Sequence, residues 1–183
     1  PVTEMITGID IVSEQIKIAA NRPLEISQDD IRIDGHAIEA RLNAEDPDRD
    51  FRPSPGVVEL LRFPSGPGIR VDSGVEEGDE IPVEFDSMVA KIIAHGRNRD
   101  EARGRLIRAL RQTSIAIRDG ATNKAFLHRL LTSPEFIDGD YDTGWVDRLV
   151  GSAAPTTVGA GAALIAAAIA SLISLFAVGA IKT

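Results

Sequence analysis

Arg41 is the first residue of this sequence equipped to do chemistry. It lies in the alternating stretch His36 to Asn43, where Ile38, Ala40 and Leu42 share one face of a half-buried strand and Glu39, Arg41 and Asn43 the other. A permanently charged guanidinium with planar donors suits an oxyanion, a phosphate or a carboxylate, while a surface salt bridge to Glu39 or Glu45 is the plainer use. Asp86 follows in Phe85-Asp86-Ser87-Met88, where a short carboxylate at a strand end orients an arginine or holds a turn. His36, His95 and His128 show no metal-ligand spacing, and His128 sits among Leu127, Leu130 and Leu131, so no metal site is expected. Arginines between Arg97 and Arg118 make one helix face basic, but Asp100, Glu101 and Asp119 flank them. A solvated face or subunit contact fits better than a polyanion site. Neither a Gly-rich phosphate loop nor a nucleophile elbow occurs.

The elements that must position these residues belong to a chain of 183 residues with 28 acidic and 20 basic side chains, a net charge of -8 and no cysteine. That length holds one globular domain, or one and a fragment. The acid excess argues against a nucleic-acid partner, because neutralising phosphates takes clustered Lys and Arg. Without cysteine there is no disulfide framework, no thiolate metal site and no thiol nucleophile, which fits a reducing compartment. The chain opens on Pro1-Val2-Thr3 without a signal run and reads as a piece of something longer. Every acidic residue lies before Val150, and beyond it stands one charge, Lys182, which suggests a boundary there.

Ile6, Ile9, Val12 and Ile16 recur at helical steps, predicting one amphipathic helix that ends before Pro23. Ile31-Arg32-Ile33-Asp34 and His36 to Asn43 alternate as strands. Asp46-Pro47 and Pro53-Ser54-Pro55-Gly56 punctuate a loop. Short β-type runs follow at Val57 to Phe63, Gly68 to Ser73 and Ile81 to Phe85, separated by turn-forming residues. Asn98 or Asp100 caps a helix with Ala102, Leu106, Ala109 and Leu110 as its apolar stripe, and a second helix from Thr122 carries Phe126, Leu127, Leu130 and Leu131. Gly139 to Gly144 forms a loop before Trp145 and Val146. The expected class is α+β: a short-stranded antiparallel sheet or small barrel with flanking helices, plus an Ala-rich C-terminal helix.

Several strings resemble the biotin carboxylase family: Pro1-Val2-Thr3-Glu4-Met5-Ile6-Thr7-Gly8, then Gly35-His36-Ala37-Ile38-Glu39-Ala40-Arg41-Leu42-Asn43-Ala44-Glu45-Asp46-Pro47, then Pro53-Ser54-Pro55-Gly56. Phe85-Asp86-Ser87-Met88-Val89-Ala90-Lys91, Thr122-Asn123 with Phe126-Leu127, and Tyr141-Asp142-Thr143-Gly144-Trp145 continue the match in order, over about Pro1 to Val150. The resemblance implies the C-terminal part of an ATP-grasp enzyme that uses ATP, Mg or Mn and bicarbonate to carboxylate biotin on a carrier domain. The metal ligands and the base that deprotonates bicarbonate then lie upstream, so this chain alone is expected to be inactive. By the same resemblance Arg41 stabilises the enolate-like oxygen of deprotonated biotin, Asp86 supports that site, Thr143 lies in a loop on the adenine side, and Arg70 lies in a region used in family dimers. Phe85 stands where the family string has tyrosine, and the biotin-attachment string Met-Lys-Met is absent.

These implications divide the chain into the end of the ATP-grasp domain at 1–25, the biotin carboxylase C-terminal domain at 26–150, and a linker with an Ala-rich helix at 151–183 that opens a connecting domain, as in acetyl- or propionyl-CoA carboxylase α subunits. The partners expected are a biotin carboxyl carrier domain, a carboxyltransferase and a second copy, in the cytoplasm or, in a eukaryote, the mitochondrial matrix. Fragments of a pyruvate or urea carboxylase, and a non-catalytic structural or oligomerisation module of the same fold, remain alternatives. Gly159 to Ile181, uncharged, is long enough to span a bilayer at about 1.5 Å per residue. Its Ala, Gly and Ser content gives weak insertion energy, so a membrane is not the expected partner.

Overall fold

Glycine divides the start of the chain. The stretch expected to form one helix forms two, α1 (Val2–Thr7) and α2 (Ile11–Ala19), because Gly8 turns left-handed at φ 71° and ends α1. Asp10 restarts the helix by accepting Ser13 N–H at 2.9 Å. This computed structural model describes residues 1–82, 84 and 86–152. Two compact units meet in sequence between Tyr141 and Asp142. The Ala-rich helix expected near Gly159 to Ile181 lies outside the described residues.

The first unit continues with β1 (His36–Asn43), β2 (Glu45–Asp46), β3 (Arg52–Pro53), β4 (Gly56–Arg62), β5 (Ile69–Ser73), β6 (Glu80–Ile81), β7 (Met88–Gly96), α3 (Arg99–Gln112), β8 (Ser114–Ile117), α4 (Lys124–Thr132) and α5 (Pro134–Asp138). In the second unit the described helix is α6 (Trp145–Ser152). The strands pair antiparallel in small sheets of order β1-β7-β5, β6-β4-β8 and β2-β3. They close no barrel. Ile31–Asp34 stays outside the ladder, and β6 stops at Ile81 because Pro82 has no N–H to donate.

β7 is the middle strand of its sheet and is buried on both faces: Ile92 and Ile93, which point oppositely, are each 0% exposed. On one face Ala40, Leu42, Ala90, Ile92 and Ala94 meet Leu106, Ala109 and Leu110 of α3. Over the other lies α1, tied to β5 by Glu4 and Arg70 at 2.6 Å. Asn98 caps α3 by accepting Glu101 N–H at 2.9 Å. The β7–α3 junction requires Gly96, where a Cβ would stand 2.5 Å from Ala102 N.

At Leu42/Asn43 the β1–β7 register shifts. There Asn43 turns its backbone to Asn123, 80 positions away. The Asn123 Oδ1 accepts Asn43 N–H at 2.9 Å, and Asn123 N–H donates to Asn43 C=O at 3.1 Å. Its Nδ2 also donates to Arg41 C=O at 3.1 Å. Asn123 is buried, so truncation would strand these backbone groups away from water. Asn123→Ala is expected to cost about 1–3 kcal/mol in chemical denaturation, with protection of the Asn43 amide lost first in hydrogen exchange.

Glu101 sits between two arginines of its own segment. Its Oε2 accepts Arg97 N–H and Arg97 Nε–H, each at 2.9 Å, and its Oε1 accepts Arg105 Nη2–H at 2.7 Å. These bonds and charges, the Arg97 hydrogen bond first, bring the carboxyl down from 4.5 to about 2. A depressed folded value stabilises the fold above the unfolded value and loses that contribution as pH falls. The stability gap between the protein and Glu101→Gln is therefore expected to be full above about pH 5 and to close toward pH 2, as measured by denaturation midpoints along a pH series.

Candidate functional site

The polar face of the β1-β7-β5 sheet carries the candidate chemistry, and the ladder register says which side chains share a row. Residues directly opposite in an antiparallel pair point to the same face. One row is Glu39, Ile93 and Arg70; the next is Arg41, Lys91 and Asp72. The first row lies beneath α1. Within it Arg70 reaches Glu4. Arg41 is one row beyond the helix and its side chain is 67% exposed.

Arg41 makes the salt bridge to Glu39 rather than to Glu45. The contact is long, 3.4 Å through Nε, and among the described residues the two terminal nitrogens have no hydrogen-bond partner. Exposed pairs of this kind contribute about 0–1 kcal/mol, so Glu39 orients the guanidinium without occupying it. Arg70 is held differently. Its Nε and Nη2 grip both oxygens of Asp72 at 2.8 and 3.0 Å while Nη1 binds Glu4, and these bonds raise its already high pKa further. It clamps α1 to the sheet.

Asp86 precedes β7, and its Oδ1 accepts Met88 N–H at 3.1 Å, the turn-holding use of a short carboxylate. Among the described residues no ion pair joins Asp86 to Arg41. Ser87 and Asn43 both donate to Glu45 Oε1, at 2.8 and 3.0 Å, and among the described residues no ion pair joins Glu45 to Arg41. Thr143 belongs to the second unit. It is exposed in a turn where Asp142 Oδ1 accepts Gly144 N–H at 3.0 Å and Arg148 Nη2–H at 2.8 Å, and the latter bond chiefly holds the Asp142 carboxyl below its usual range.

Residue types alone did not reveal the roles of Asn123, which grips the backbone on both sides of Leu42, or of Arg99. The Arg99 guanidinium lies 4.5 Å from the Phe136 ring centre and donates to Tyr141 Oη at 3.1 Å, fastening the end of the first unit. The Thr122-Asn123 string was the signal for the former; nothing in spacing marked the latter. Among the described residues no group of three His, Asp or Glu side chains is placed to hold a metal ion, and no helix is long and apolar enough to cross a membrane.

Residues 39–148 match the model of the biotin carboxylase C-terminal domain, and residues 1–27 match that of the carbamoyl-phosphate synthase L chain ATP-binding domain. The chain is 44% identical over 149 residues to a biotin carboxylase of Nostoc sp., covering 81% of this chain and 33% of that protein. It is 45% identical over 152 residues to a biotin-dependent acyl-coenzyme A carboxylase alpha3 subunit of Mycobacterium leprae, covering 80% of this chain and 25% of that one. A crystal structure of the biotin carboxylase domain dimer of Hydrogenobacter thermophilus 2-oxoglutarate carboxylase, with MgADP, ADP and bicarbonate, superposes with a TM-score of 0.77 at 40% identity, over 84% of this chain and 34% of that chain. The chain thus spans about a third or less of each relative. With a family match over more than half its length and the same fold at 40% identity, this chain belongs to the biotin carboxylase C-terminal domain family.

Proposed function

We propose that this chain is the C-terminal portion of a biotin carboxylase component, an ATP-dependent ligase that carboxylates carrier-bound biotin with ATP and bicarbonate in an acetyl- or propionyl-CoA carboxylase. The observation that carries the reading is Arg41. Within the matched region it projects from β1 with its terminal nitrogens free, on a backbone gripped by Asn123. As deprotonated biotin's ureido oxygen gains negative charge, a fixed cation beside it lowers the barrier, and one such preorganised donor is worth about 3 kcal/mol.

The division into 1–25, 26–150 and 151–183 is part of this proposal. The ATP-binding match to residues 1–27 supports the first boundary, and so does α2, whose Val12, Ile16 and Ile18 are exposed and suit burial against the remainder of such a domain. Nucleotide and magnesium are expected to bind chiefly to that remainder. The described residues supply no acidic cluster for the metal, so no step here runs through it. Thr143 is assigned to the adenine side. The carrier domain, a carboxyltransferase and a second copy are the proposed partners, the cytoplasm the proposed compartment, and the chain alone is inactive. The relatives named above serve different acceptors, which is why pyruvate or urea carboxylase stays the alternative within the family.

In the intact subunit, free biotin is expected to stimulate bicarbonate-dependent ATP cleavage, and Arg41→Ala to lower that rate about 100-fold or more while nucleotide affinity holds. Arg41→Lys, which keeps charge but not the planar fork, should fall between. A well-folded subunit without biotin dependence would favour the non-catalytic module. For Asp86 the test separates turn from charge: Asp86→Asn keeps an acceptor for Met88 N–H, so the thermal midpoint should hold while biotin-dependent turnover drops several-fold. Unchanged turnover would remove its supporting role.

A further inference from the structure

Lys91 stands directly across from Arg41, and backbone geometry brings the two closer than most cross-strand neighbours. Within β1 the Arg41 carbonyl points to the outer edge, where Asn123 Nδ2 binds it. Within β7 His95 N–H points the other way, to Gly68 C=O on the β5 side at 2.7 Å. Backbone direction alternates along a strand, so Lys91, four residues before His95, also bonds toward β5. Arg41 and Lys91 are therefore a pair not joined by backbone hydrogen bonds, the kind with Cα atoms about 4.5 Å apart and side chains in closest reach.

Two cations in that arrangement repel, and like charges directly opposite destabilise a sheet. The neighbouring carboxylates do not resolve the conflict. Asp72, opposite Lys91 on β5, has both oxygens committed to Arg70, and Glu4 is bound to Arg70 as well. Glu39 stands in the neighbouring row and reaches Arg41 through Nε alone, at 3.4 Å. Lys91 is half-buried and, among the described residues, has no hydrogen bond or ion pair. Among the described residues, neither its ammonium nor the two terminal Arg41 nitrogens have a hydrogen-bond or ion-pair partner on this face. Breaks in a local rule of this kind are expected at functional or strained sites.

We propose that Lys91 is a second anion-holding residue: Arg41 and Lys91, side by side across β1 and β7, bind a carbonate- or carboxylate-class oxyanion between them. The fork of Arg41 takes two oxygens and Lys91 adds a point charge with three donors. Bicarbonate and the N-carboxylate of carboxylated biotin share this chemistry, and naming them rests on the biotin carboxylase reading above.

The test uses the intact carboxylase subunit with Lys91→Gln and Lys91→Arg. Gln removes the like-charge repulsion and should not unfold the protein, which a thermal midpoint checks. If bicarbonate is the anion, Lys91→Gln raises its KM tenfold or more at unchanged KM for ATP. If the N-carboxylate is the anion, KM for free biotin and the rate of the reverse reaction from carboxylated biotin change instead. In both cases Lys91→Arg stays within about threefold of wild type. Unaltered kinetics in Lys91→Gln would overturn the proposal. Should the wild-type subunit show no biotin-dependent turnover, the failure belongs to the functional reading. Line broadening of 13C-bicarbonate by the protein then tests the pair by itself: broadening lost in Lys91→Gln supports it, and broadening retained or absent in wild type overturns it.

Discussion

The pairing of β1 with β7 is the constraint on which the rest depends. β7 is covered on both faces, so its register is set by two packing surfaces at once: α3 wants Ala90, Ile92 and Ala94, while the α1 side wants Ile93. A slip of β1 by one residue would send Arg41 toward Leu106 and bring Leu42 out to solvent. The packing that sets the core thus also fixes Arg41 opposite Lys91, and the sheet bears the like-charge repulsion between them. The same alternation directs the Arg41 carbonyl to the edge where Asn123 can hold it.

The polar face divides its arginines by how tightly they are held. Arg70 is chelated by Asp72 and bound by Glu4, which joins β5 to α1 and leaves it little freedom. Arg41 has one long contact and is mostly exposed. A guanidinium already satisfied by two carboxylates has nothing to offer a reacting oxyanion; one oriented by a single long contact can exchange it for a stronger bond. Asp72, the carboxylate in Arg41's own row, is taken by Arg70, so among the described residues Arg41 keeps the one long contact to Glu39.

Much of this could be read from the residues, and the rest could not for definite reasons. The faces of β1 and the apolar stripe of α3 followed from period alone; Ala102, Leu106, Ala109 and Leu110 are all buried. The central strand β7 did not show itself, since Val89, Ala90, Ile92, Ile93 and Ala94 form a nearly continuous apolar run without the alternation of a half-buried strand. Gly8 split a helix that period alone had joined, because hydrophobic spacing is blind to a left-handed cap. Arg41 was legible as a candidate, with Glu39 as one of its two expected carboxylates. Its tie to Asn123 spans 82 positions and its neighbour Lys91 fifty, and such contacts follow from register, which no local pattern encodes.

On the proposed reading, Arg41 serves catalysis as fixed charge. Electrostatic help of this sort depends on the charge being in place before the reaction begins, since reorganising it would consume the gain. The supports around Arg41 meet that requirement from the backbone outward: a buried asparagine holding the strand on either side of Leu42, a register shift that turns Asn43 toward it, and Glu45 drawn aside by Asn43 and Ser87. With Glu45 engaged, Glu39 is left as the one ion-pair partner of Arg41 among the described residues. The strand is held firmly while the guanidinium at its tip stays available, which is the combination an oxyanion site needs.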